Sequence, residues 1–589
     1  MCDAKAGLAA LREEYEAQGQ GHVFLDVDLN NISDSDAHSM FEDLSKINLP
    51  YLNAKYTELS ISKTVRLAPF ENRVDATSAP KEELAGMRQL GLSLIAQGKV
   101  AVVLLAGGQG TRMGCVCPKG VAEIGTLSKK CLFDIFLGRT ERLKTLAAEA
   151  SGGAKDASEV RIPWVIMTSA ATHADTIAHF DSLAGAFPNR DDMYFMEQGM
   201  LPALSRDGKL LLSTPGRPVL APNGNGGVYL ALSTSGVAAK LAERGVEWVH
   251  VMGVDNLLAK PADPMLVGVA AAKSLDLVNK VVAKREASER VGVMAVLDGR
   301  THIAEYSELD KEQSARTDAS GRLVFGDANI ASHLYSMSFL RKAAESAHEL
   351  PLHAAIKAIP VYQRDVCGVV APTEPNGIKL ETFIFDAFAQ CDVAKVAAFA
   401  VRRENEFAPI KNAFHTPSSS VVCALARARV SSAAAALLNG DESRSSVTTA
   451  TVFVQRGCDG HASERGCEDH DSERRKNAVT VRVKATPGDV TADSAVSAVL
   501  LMAQVHARRA ESVGWRFCGP RDCVPASASD VEGSAAGAGN AADGAAFVLD
   551  VIPQIEIDPK YSYDDDDVRD IPRPVSEEAA NVFEPLVLS

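Results

Sequence analysis

The sequence predicts an α/β protein built on a mixed, mostly parallel sheet, and three features of the chain point to this class. Residues 100–106 form a short apolar run, β-branched at its start, that ends in Gly107 and Gly108. Runs of this kind are typical of strands buried on both faces. Further runs follow, and stretches with helical spacing separate them, which favours a sheet covered by helices. The later runs lie at 163–167, 248–252 and 291–297, and the helical stretches include 130–150 and 172–184.

Three regions are predicted along the 589 residues. Residues 1–100 are expected to form a mainly helical lobe, with one helix capped by Asp34 or Ser35 and another over 82–97. The central domain is placed at 101–412. Residues 413–589 combine strand-like segments with Ala, Gly and Ser-rich insertions, which predicts a small β-rich domain.

Composition narrows the class of protein. The formal net charge of −15 argues against a general nucleic-acid binder, which needs a basic face. The charged start of the chain does not resemble a secretory signal, and apolar runs are too short to cross a membrane. We therefore expect a cytoplasmic protein without nucleic-acid or membrane partners, whose eleven cysteines are mostly free thiols.

A glycine-rich loop directly follows the first predicted strand. Gly107, Gly108 and Gly110 allow backbone N–H groups to approach a phosphate chain, and Arg112 and Lys119 supply positive charge. The spacing fits neither the P-loop nor the Gly-x-Gly-x-x-Gly dinucleotide motif. Since ligands bind at the carboxyl ends of strands in open α/β sheets, the loop is predicted to bind phosphates.

Asp255 closes the apolar run at 248–252 and is expected at the same edge of the sheet. A single carboxylate there suits Mg²⁺ or Mn²⁺, with substrate phosphates and water completing the ligand shell. The alternative is a helix N-cap.

Residues 105–119, with the core Gln109-Gly-Thr-Arg112, resemble the glycine-rich loop of the eukaryotic UDP-N-acetylhexosamine pyrophosphorylases. Blocks at 196–202, 221–227, 250–256, 375–379 and 409–412 are similar to further segments of that family, in the same order. The resemblance implies a Rossmann-like nucleotidyltransferase domain. It covers roughly residues 60–412 and is nearly lost afterwards.

The resemblance also implies roles for individual residues. Arg112, Lys119 and Lys411 would bind phosphates at the reacting centre, and Asp255 would hold the metal. The substrate-binding set it implies comprises Gly107, Gly108, Gln198, Gly224, Asn225, Glu305, Tyr306, Asn329, Phe383 and Phe385. For the two phenylalanines, core packing at period-two spacing is an equally strong interpretation.

The implied reaction couples UTP to N-acetylglucosamine 1-phosphate by in-line attack on the α-phosphate, in a monomer or weak oligomer. Three alternatives remain open at this stage. They are a pyrophosphorylase for another hexose 1-phosphate, a non-catalytic nucleotide-sugar-binding protein, and an NAD-dependent oxidoreductase, which the glycine spacing disfavours.

One pattern lies outside the resemblance. Cys458, His461, Cys467 and His470 could in principle bind zinc. The spacing between the two pairs is short and the surroundings are charged, so a polar insertion is the favoured interpretation.

Overall fold

A computed structural model describes residues 4–59, 66–122, 124, 130–183 and 190–411, together with the backbone of short strands after residue 447. The helices within these residues are α1 (Ala4–Ala17), α2 (Asp34–Ser45), α3 (Leu49–Leu59), α4 (Lys81–Ala96), α5 (Leu132–Ala150), α6 (His173–Ser182), α7 (Gly227–Thr234), α8 (Val237–Glu243), α9 (Pro264–Ala272), α10 (Lys311–Ala315), α11 (Met337–Glu345) and α12 (Arg403–Glu406).

The strands begin with β1 (Leu67–Pro69), β2 (Arg73–Asp75), β3 (Val100–Leu105), β4 (Trp164–Thr168), β5 (Met193–Glu197), β6 (Met200–Pro202), β7 (Leu204–Ser205), β8 (Leu212–Thr214), β9 (Arg217–Pro218), β10 (Leu220–Pro222), β11 (Trp248–Gly253), β12 (Leu277–Ala283) and β13 (Val293–Leu297). They continue with β14 (Arg300–Ala304), β15 (Asp327–Ser336), β16 (His353–Lys357), β17 (Val361–Gln363), β18 (Gly368–Val370), β19 (Gly377–Glu381), β20 (Val396–Val401), β21 (Thr448–Arg456), β22 (Ala478–Ala485), β23 (Phe547–Val551), β24 (Ile555–Ile557) and β25 (Leu586–Leu588).

The central sheet is mixed and mostly parallel, which confirms the predicted fold class. Its order is β2-β20-β12-β15-β11-β3-β4-β5, with β1, β13 and β14 attached at β15. Only β15 runs antiparallel to its neighbours β11 and β12 on this path. The neighbours β11, β3, β4 and β5 are all parallel, so their carboxyl ends meet at one edge.

Both faces of the sheet are buried, as the apolar runs predict. Along β3, Val100, Val102 and Leu104 join one core, whereas Ala101 and Val103 join the core on the opposite face. Helices α4, α5 and α9 cover the first face, and α7, α8 and α11 cover the second. An added Cβ on Gly91 of α4 would lie 1.8 Å from the Pro264 carbonyl oxygen, so glycine permits the close crossing of α4 and α9.

The first three helices form a lobe with its own core. Leu8, Met40 and Leu44 pack there with Leu204 and Leu380 from the strands outside the central sheet. The expected cap at Asp34 or Ser35 is wrong by one residue or more, because the side chain of Ser33 accepts the Asp36 N–H at the start of α2.

Residues 67–96 belong to the central layer rather than to the helical lobe. Strand β2 pairs with β20, β1 pairs with β13, and α4 packs on α5 and α9. The predicted domain boundary at residue 100 therefore falls inside this layer, since the short strands β1 and β2 gave no apolar run to detect.

After residue 447 the described backbone forms a three-stranded sheet β22-β21-β23 and a two-stranded sheet β24-β25. The four possible zinc ligands between 458 and 470 lie outside the described residues. Among the helices that the structure describes, none combines the length and apolarity needed to cross a membrane.

Candidate active site

The carboxyl ends of β3, β4 and β5 are joined by hydrogen bonds that bring their following loops together. The Ala106 N–H donates to the Met167 carbonyl at 2.8 Å, and the Gln198 N–H donates to the Thr168 carbonyl at 2.9 Å. The Ser169 hydroxyl donates to the Gly107 carbonyl at 2.8 Å. Parallel pairing thus places the glycine-rich loop beside Gln198.

Gly107 is required by this arrangement. An added Cβ at this position would lie 2.4 Å from Nε2 of Gln198, a buried side chain. Any larger residue would displace the amide. Gly107 and Gln198, 91 positions apart in sequence, are thus direct neighbours in the fold. Gly108 has open space at its Cβ position.

Lys119 connects the glycine-rich loop to two other segments. Its N–H donates to the Gly108 carbonyl at 3.0 Å, and its Nζ donates to the Ile410 carbonyl at 3.0 Å. The Ile410 N–H in turn donates to the Asp255 carbonyl at 2.8 Å. Lys411, the next residue, is therefore brought to the end of β11, where Asp255 lies.

Charged side chains from the glycine-rich loop, from the end of β11 and from the segment that carries Lys411 all act on the Lys119 ammonium. Burial lowers its pKa, the carboxylate of Asp255 opposes this effect, and the charges of Arg112 and Lys411 lower the pKa further. Lys119 and the segments that carry Asp255 and Lys411 thus lie together, and Arg112 is near enough for its charge to act on Lys119. The alternative of Asp255 as a helix N-cap is wrong, because α9 begins only at Pro264 and is capped by Asp263.

The side chains of Cys115 and Cys117 contact each other within the glycine-rich loop, and their Cα atoms are 5.3 Å apart. The Gly110 N–H donates to the Cys117 carbonyl and the Cys115 N–H donates to the Gly110 carbonyl, which folds the loop back on itself. Among the other cysteines in the described part of the chain, Cys131, Cys367 and Cys391 are free.

Gly224 and Asn225 form a loop that packs against the segment after β19. Gly224 has φ +86°, and an added Cβ would lie 2.5 Å from the Thr382 carbonyl oxygen. The side-chain oxygen of Asn225 accepts the Ile384 N–H at 2.9 Å. Part of the Asn225 side chain therefore positions the 382–385 segment, a structural role that its motif did not predict.

The aromatic residues of this segment differ in their surroundings. Phe383 stacks on His353 with ring centroids 4.1 Å apart and an interplanar angle of 23°. Phe385 packs against the buried core of the sheet. The core-packing interpretation therefore applies to Phe385, whereas Phe383 faces a cluster of titratable groups. His353 and Asp386 of that cluster are 2.9 Å apart, and the Asp386 side chain also accepts the Phe383 N–H.

Glu305 lies at the same cluster. Burial is the largest influence on its pKa and raises it, and the nearby charge of Glu308 acts in the same direction, while His353 opposes both. Glu308 accepts the Glu305 N–H at 2.7 Å and lies 3.2 Å from His302. Tyr306 is about half exposed, and the guanidinium of Arg290 lies 5.8 Å from its ring centroid.

Asn329 lies between Glu305 and the end of β11, and neighbouring residues contact both sides. The Asn329 N–H donates to the Gly292 carbonyl at 2.9 Å, and an added Cβ on Gly292 would lie 3.2 Å from a Glu305 carboxylate oxygen. The Asn329 side chain accepts the Ala331 N–H, and Ala331 adopts φ +53°, an uncommon conformation for a non-glycine residue. An added Cβ on Gly253 would lie 3.9 Å from Ala331 and 3.0 Å from Asp255.

Contacts thus run from the glycine-rich loop through Asp255 and Asn329 to Glu305. The sequence analysis missed His353 and Asp386, which complete the cluster around Glu305. It also missed Thr382, whose hydroxyl donates to the Asn223 carbonyl and holds the 382–385 segment against the loop at 223–225. Asp386 follows Phe385 directly and could have been noticed, whereas His353 carries no motif and only the fold brings it to Phe383.

A glycine-rich turn, three cations and a carboxylate at the carboxyl edge of a mixed sheet suit an anionic nucleotide, and the architecture is that of the nucleotidyltransferases. Residues 48–452 match the family model of UTP–glucose-1-phosphate uridylyltransferase. The chain belongs to this family.

Individual proteins similar to this chain have more specific names than the family model. The chain is 36% identical over 422 residues to the Dictyostelium discoideum protein named "Probable UDP-N-acetylglucosamine pyrophosphorylase", covering 70% of this chain and 86% of that one. It is 39% identical to the UDP-N-acetylglucosamine pyrophosphorylase of Saccharomyces cerevisiae over 55% of this chain and 67% of the yeast chain. The crystal structure of the Trypanosoma brucei uridine diphosphate N-acetylglucosamine pyrophosphorylase has the same fold, with a TM-score of 0.66, 24% identity, and 97% and 94% of the two chains covered.

Proposed function

We propose that this protein transfers a uridylyl group from UTP to N-acetylglucosamine 1-phosphate, forming UDP-N-acetylglucosamine and pyrophosphate. The proposal rests on the grouping of charges around Lys119, where the carboxylate of Asp255 and the cations of Arg112 and Lys411 all act on its ammonium. The names of the relatives in Dictyostelium and yeast support the choice of sugar.

The chemistry needs positioning and neutralisation of charge rather than a protein nucleophile. An oxygen of the sugar phosphate attacks the α-phosphorus of UTP, and the bond from this phosphorus to the oxygen that bridges to the β-phosphorus breaks. Pyrophosphate leaves with that bonding pair. Arg112 and Lys119 would stabilise the developing charge on the α-phosphate and the leaving group, and Lys411 would hold the incoming phosphate.

The donor set around Asp255 fits Mg²⁺ or Mn²⁺. Among the described residues, no other His, Cys, Asp or Glu completes a three-donor group with Asp255. One carboxylate with water and substrate phosphates is the ligand set that Mg²⁺ commonly takes, and the bound ion would neutralise phosphate charge. Gly253 leaves space for the Asp255 side chain, since an added Cβ would lie 3.0 Å from its Oδ1.

The remaining residues would bind the base and the sugar. Gln198 can both donate to and accept from one edge of uracil, beside the backbone of Gly107. The Glu305 carboxylate and the Phe383 ring would contact hydroxyl groups and an apolar face of the sugar. Tyr306 and Asn329 would complete that side.

A substrate panel tests the proposal. Purified protein receives UTP, Mg²⁺ and one sugar 1-phosphate at a time, and pyrophosphate release is measured. We expect the highest kcat/KM with N-acetylglucosamine 1-phosphate. The family description names glucose 1-phosphate, so this substrate is the second candidate. A higher kcat/KM with it would reverse the assignment, and absence of pyrophosphate with every sugar would favour a binding protein.

The reverse reaction supplies an independent check. One phosphoanhydride is exchanged for another, so UDP-N-acetylglucosamine and pyrophosphate should yield UTP readily. Failure to form UTP in this direction would contradict the proposed transfer.

A further inference from the structure

Three metal-ligating side chains meet behind the glycine-rich loop, outside the candidate active site. They are Cys131 at the start of α5, Asp134 in its first turn, and His179 on α6. The Cys131 Sγ lies 3.4 Å from Nε2 of His179, and the same Nε2 lies 3.1 Å from Oδ1 of Asp134. Their donor atoms all lie within 4.8 Å of one another.

This geometry differs from that of a catalytic relay. In a Cys–His–Asp relay the thiol and the carboxylate face opposite nitrogens of the imidazole. Here both groups face Nε2, which cannot at once donate a proton to the carboxylate and accept one from the thiol. Three potential ligand atoms around one point are instead the arrangement that a bound metal ion requires.

The spacing suits tetrahedral zinc. Zinc bonds of about 2.3 Å to sulfur and about 2.0–2.1 Å to nitrogen and oxygen put tetrahedral donors roughly 3.2–3.6 Å apart. The two observed separations, 3.4 and 3.1 Å, are close to this range. A thiolate and an imidazole select zinc or a similar transition metal over Mg²⁺, which prefers oxygen ligands.

The surrounding structure holds the three donors in place. Cys131 is buried, and the side chains of His179 and Asp134 are 16% and 22% exposed, which leaves a route for an ion or a water. The Asp134 Oδ2 accepts the Cys131 N–H at 3.0 Å, so the carboxylate is already oriented, with Oδ1 toward His179.

The cluster of Cys131, Asp134 and His179 also packs against the glycine-rich loop through Phe133. Phe133, between Cys131 and Asp134, has its ring centroid 5.8 Å from that of His179. An added Cβ on Gly120 would lie 2.1 Å from the Phe133 ring, so this ring packs directly beneath the residue that follows Lys119. Ligation of α5 to α6 would therefore support the segment that carries Lys119.

We propose that Cys131, Asp134 and His179 bind one Zn²⁺, with water in the fourth position, as a site separate from the Mg²⁺ of the proposed reaction. The site joins the start of α5 to α6 behind the glycine-rich loop.

Metal binding to the full chain, purified without a polyhistidine tag and stripped with a chelator, tests the proposal. Zn²⁺ stoichiometry is measured by elemental analysis, and Co²⁺ replaces zinc for absorption spectroscopy. We expect a thiolate-to-cobalt band in the near ultraviolet that Cys131→Ser abolishes together with one equivalent of zinc. Cys391→Ser removes another buried cysteine and should retain both signals.

Two further variants keep the test decisive if Cys131→Ser fails to fold. His179→Gln and Asp134→Asn retain the thiol and should each weaken Zn²⁺ affinity by about tenfold or more. A Cys458→Ser/Cys467→Ser variant should leave the cobalt band unchanged. Loss of the band in this variant, an unaltered stoichiometry in the Cys131 and His179 variants, or no zinc bound by the wild type would overturn the proposal.

Discussion

Lys119 links the glycine-rich loop to the two other segments of the candidate site, which carry Asp255 and Lys411. Its ammonium is part-buried, donates to the Ile410 carbonyl, and is affected by the charges of Arg112 and Lys411. Such a cluster of cations is electrostatically unfavourable until an anion binds. A triphosphate would relieve this repulsion, so these side chains are expected to affect turnover more than folding.

The first prediction concerns Arg112. Replacement by alanine is expected to lower kcat by about 100-fold or more, the size of one lost contact to transition-state charge. Steady-state kinetics measure the effect, and circular dichroism checks folding. Arg322→Ala, in an exposed turn, is the control and should retain wild-type kcat. A near-normal rate for Arg112→Ala would remove this residue from the mechanism.

The second prediction concerns the pH dependence of stability at Glu305. Its pKa in the folded protein is raised, mainly by burial, so its contribution to stability is present at low pH and lost as the pH rises through that pKa. Glu305→Gln is therefore expected to raise Tm by about 1–2 °C at pH 8, to leave it unchanged near pH 4, and to lower activity.

Glu308 is the matched control, because its pKa is shifted in the opposite direction. Burial raises the pKa, but hydrogen bonds from His302 and the Glu305 N–H outweigh burial and lower it. Its contribution to stability is present above the ordinary pKa and lost as the pH falls. Glu308→Gln should therefore lower Tm at pH 8. Thermal melts of both variants across this pH range measure the two changes in Tm. A change of the same sign at pH 8 in both variants would contradict the opposite pKa shifts assigned to Glu305 and Glu308.

At the scale of elements, a buried ionic network positions the segment that carries Lys411. Lys280 on β12 is 2% exposed and contacts Asp263, the N-cap of α9, and Glu406 at the end of α12. Glu406 also pairs with Lys260 at 2.6 Å. Burial alone would lower the pKa of Lys280, but the charges of Asp263 and Glu406 outweigh it and keep the pKa raised.

The third prediction follows from this network. Glu406→Gln leaves Lys280 with less compensating charge in the core, and we expect the free energy of unfolding to fall by about 3 kcal/mol. Activity should fall as well, because residues 408–411 follow directly. Glu404→Gln on the same helix is the control. Denaturant titration measures stability, and equal effects of the two variants would exclude this role of the network.

Strands and helices were predictable where burial leaves a pattern. The run at 100–106 corresponds to β3, that at 248–252 to β11, and the stretch at 130–150 to α5. Strand β15 was not predicted at all, because residues 327–336 mix polar and small residues with few apolar ones and form no apolar run. The cluster of Cys131 and His179 could not be foreseen either, because residues 48 positions apart meet only through the packing of α5 on α6.

At the scale of the whole molecule, the candidate site depends on segments from residue 107 to residue 411 held by one sheet. Sequence motifs were enough to predict which residue types the site contains. The family resemblance implied the role of each of these residues. The contacts of Asn225 with Ile384 and of His353 with Phe383 depended on tertiary structure that a single sequence does not contain.

The fourth prediction depends on the fact that segments from residue 107 to residue 411 form one site only in the folded sheet. UTP with Mg²⁺ should stabilise the protein, by about 2.7 kcal/mol at a ligand concentration 100 times Kd, because only the folded sheet assembles the site. Asp255→Asn should lose the part of the thermal shift that depends on Mg²⁺ and keep the response to UTP alone. Thermal shift assays with Mg²⁺ or EDTA measure both parts, and an intact Mg²⁺ effect in the variant would contradict the metal assignment.

The pairing of β2 with β20 has a consequence for synthesis on the ribosome. The Asn72 side chain donates to the Val396 carbonyl, 324 positions later in the chain. At about 5–20 residues per second, the partner strand is translated roughly 16–65 s after β2. Throughout that interval Val74 lacks the strand that covers it, so the nascent chain exposes an unpaired edge on which a chaperone could act before the last parallel strand closes the sheet.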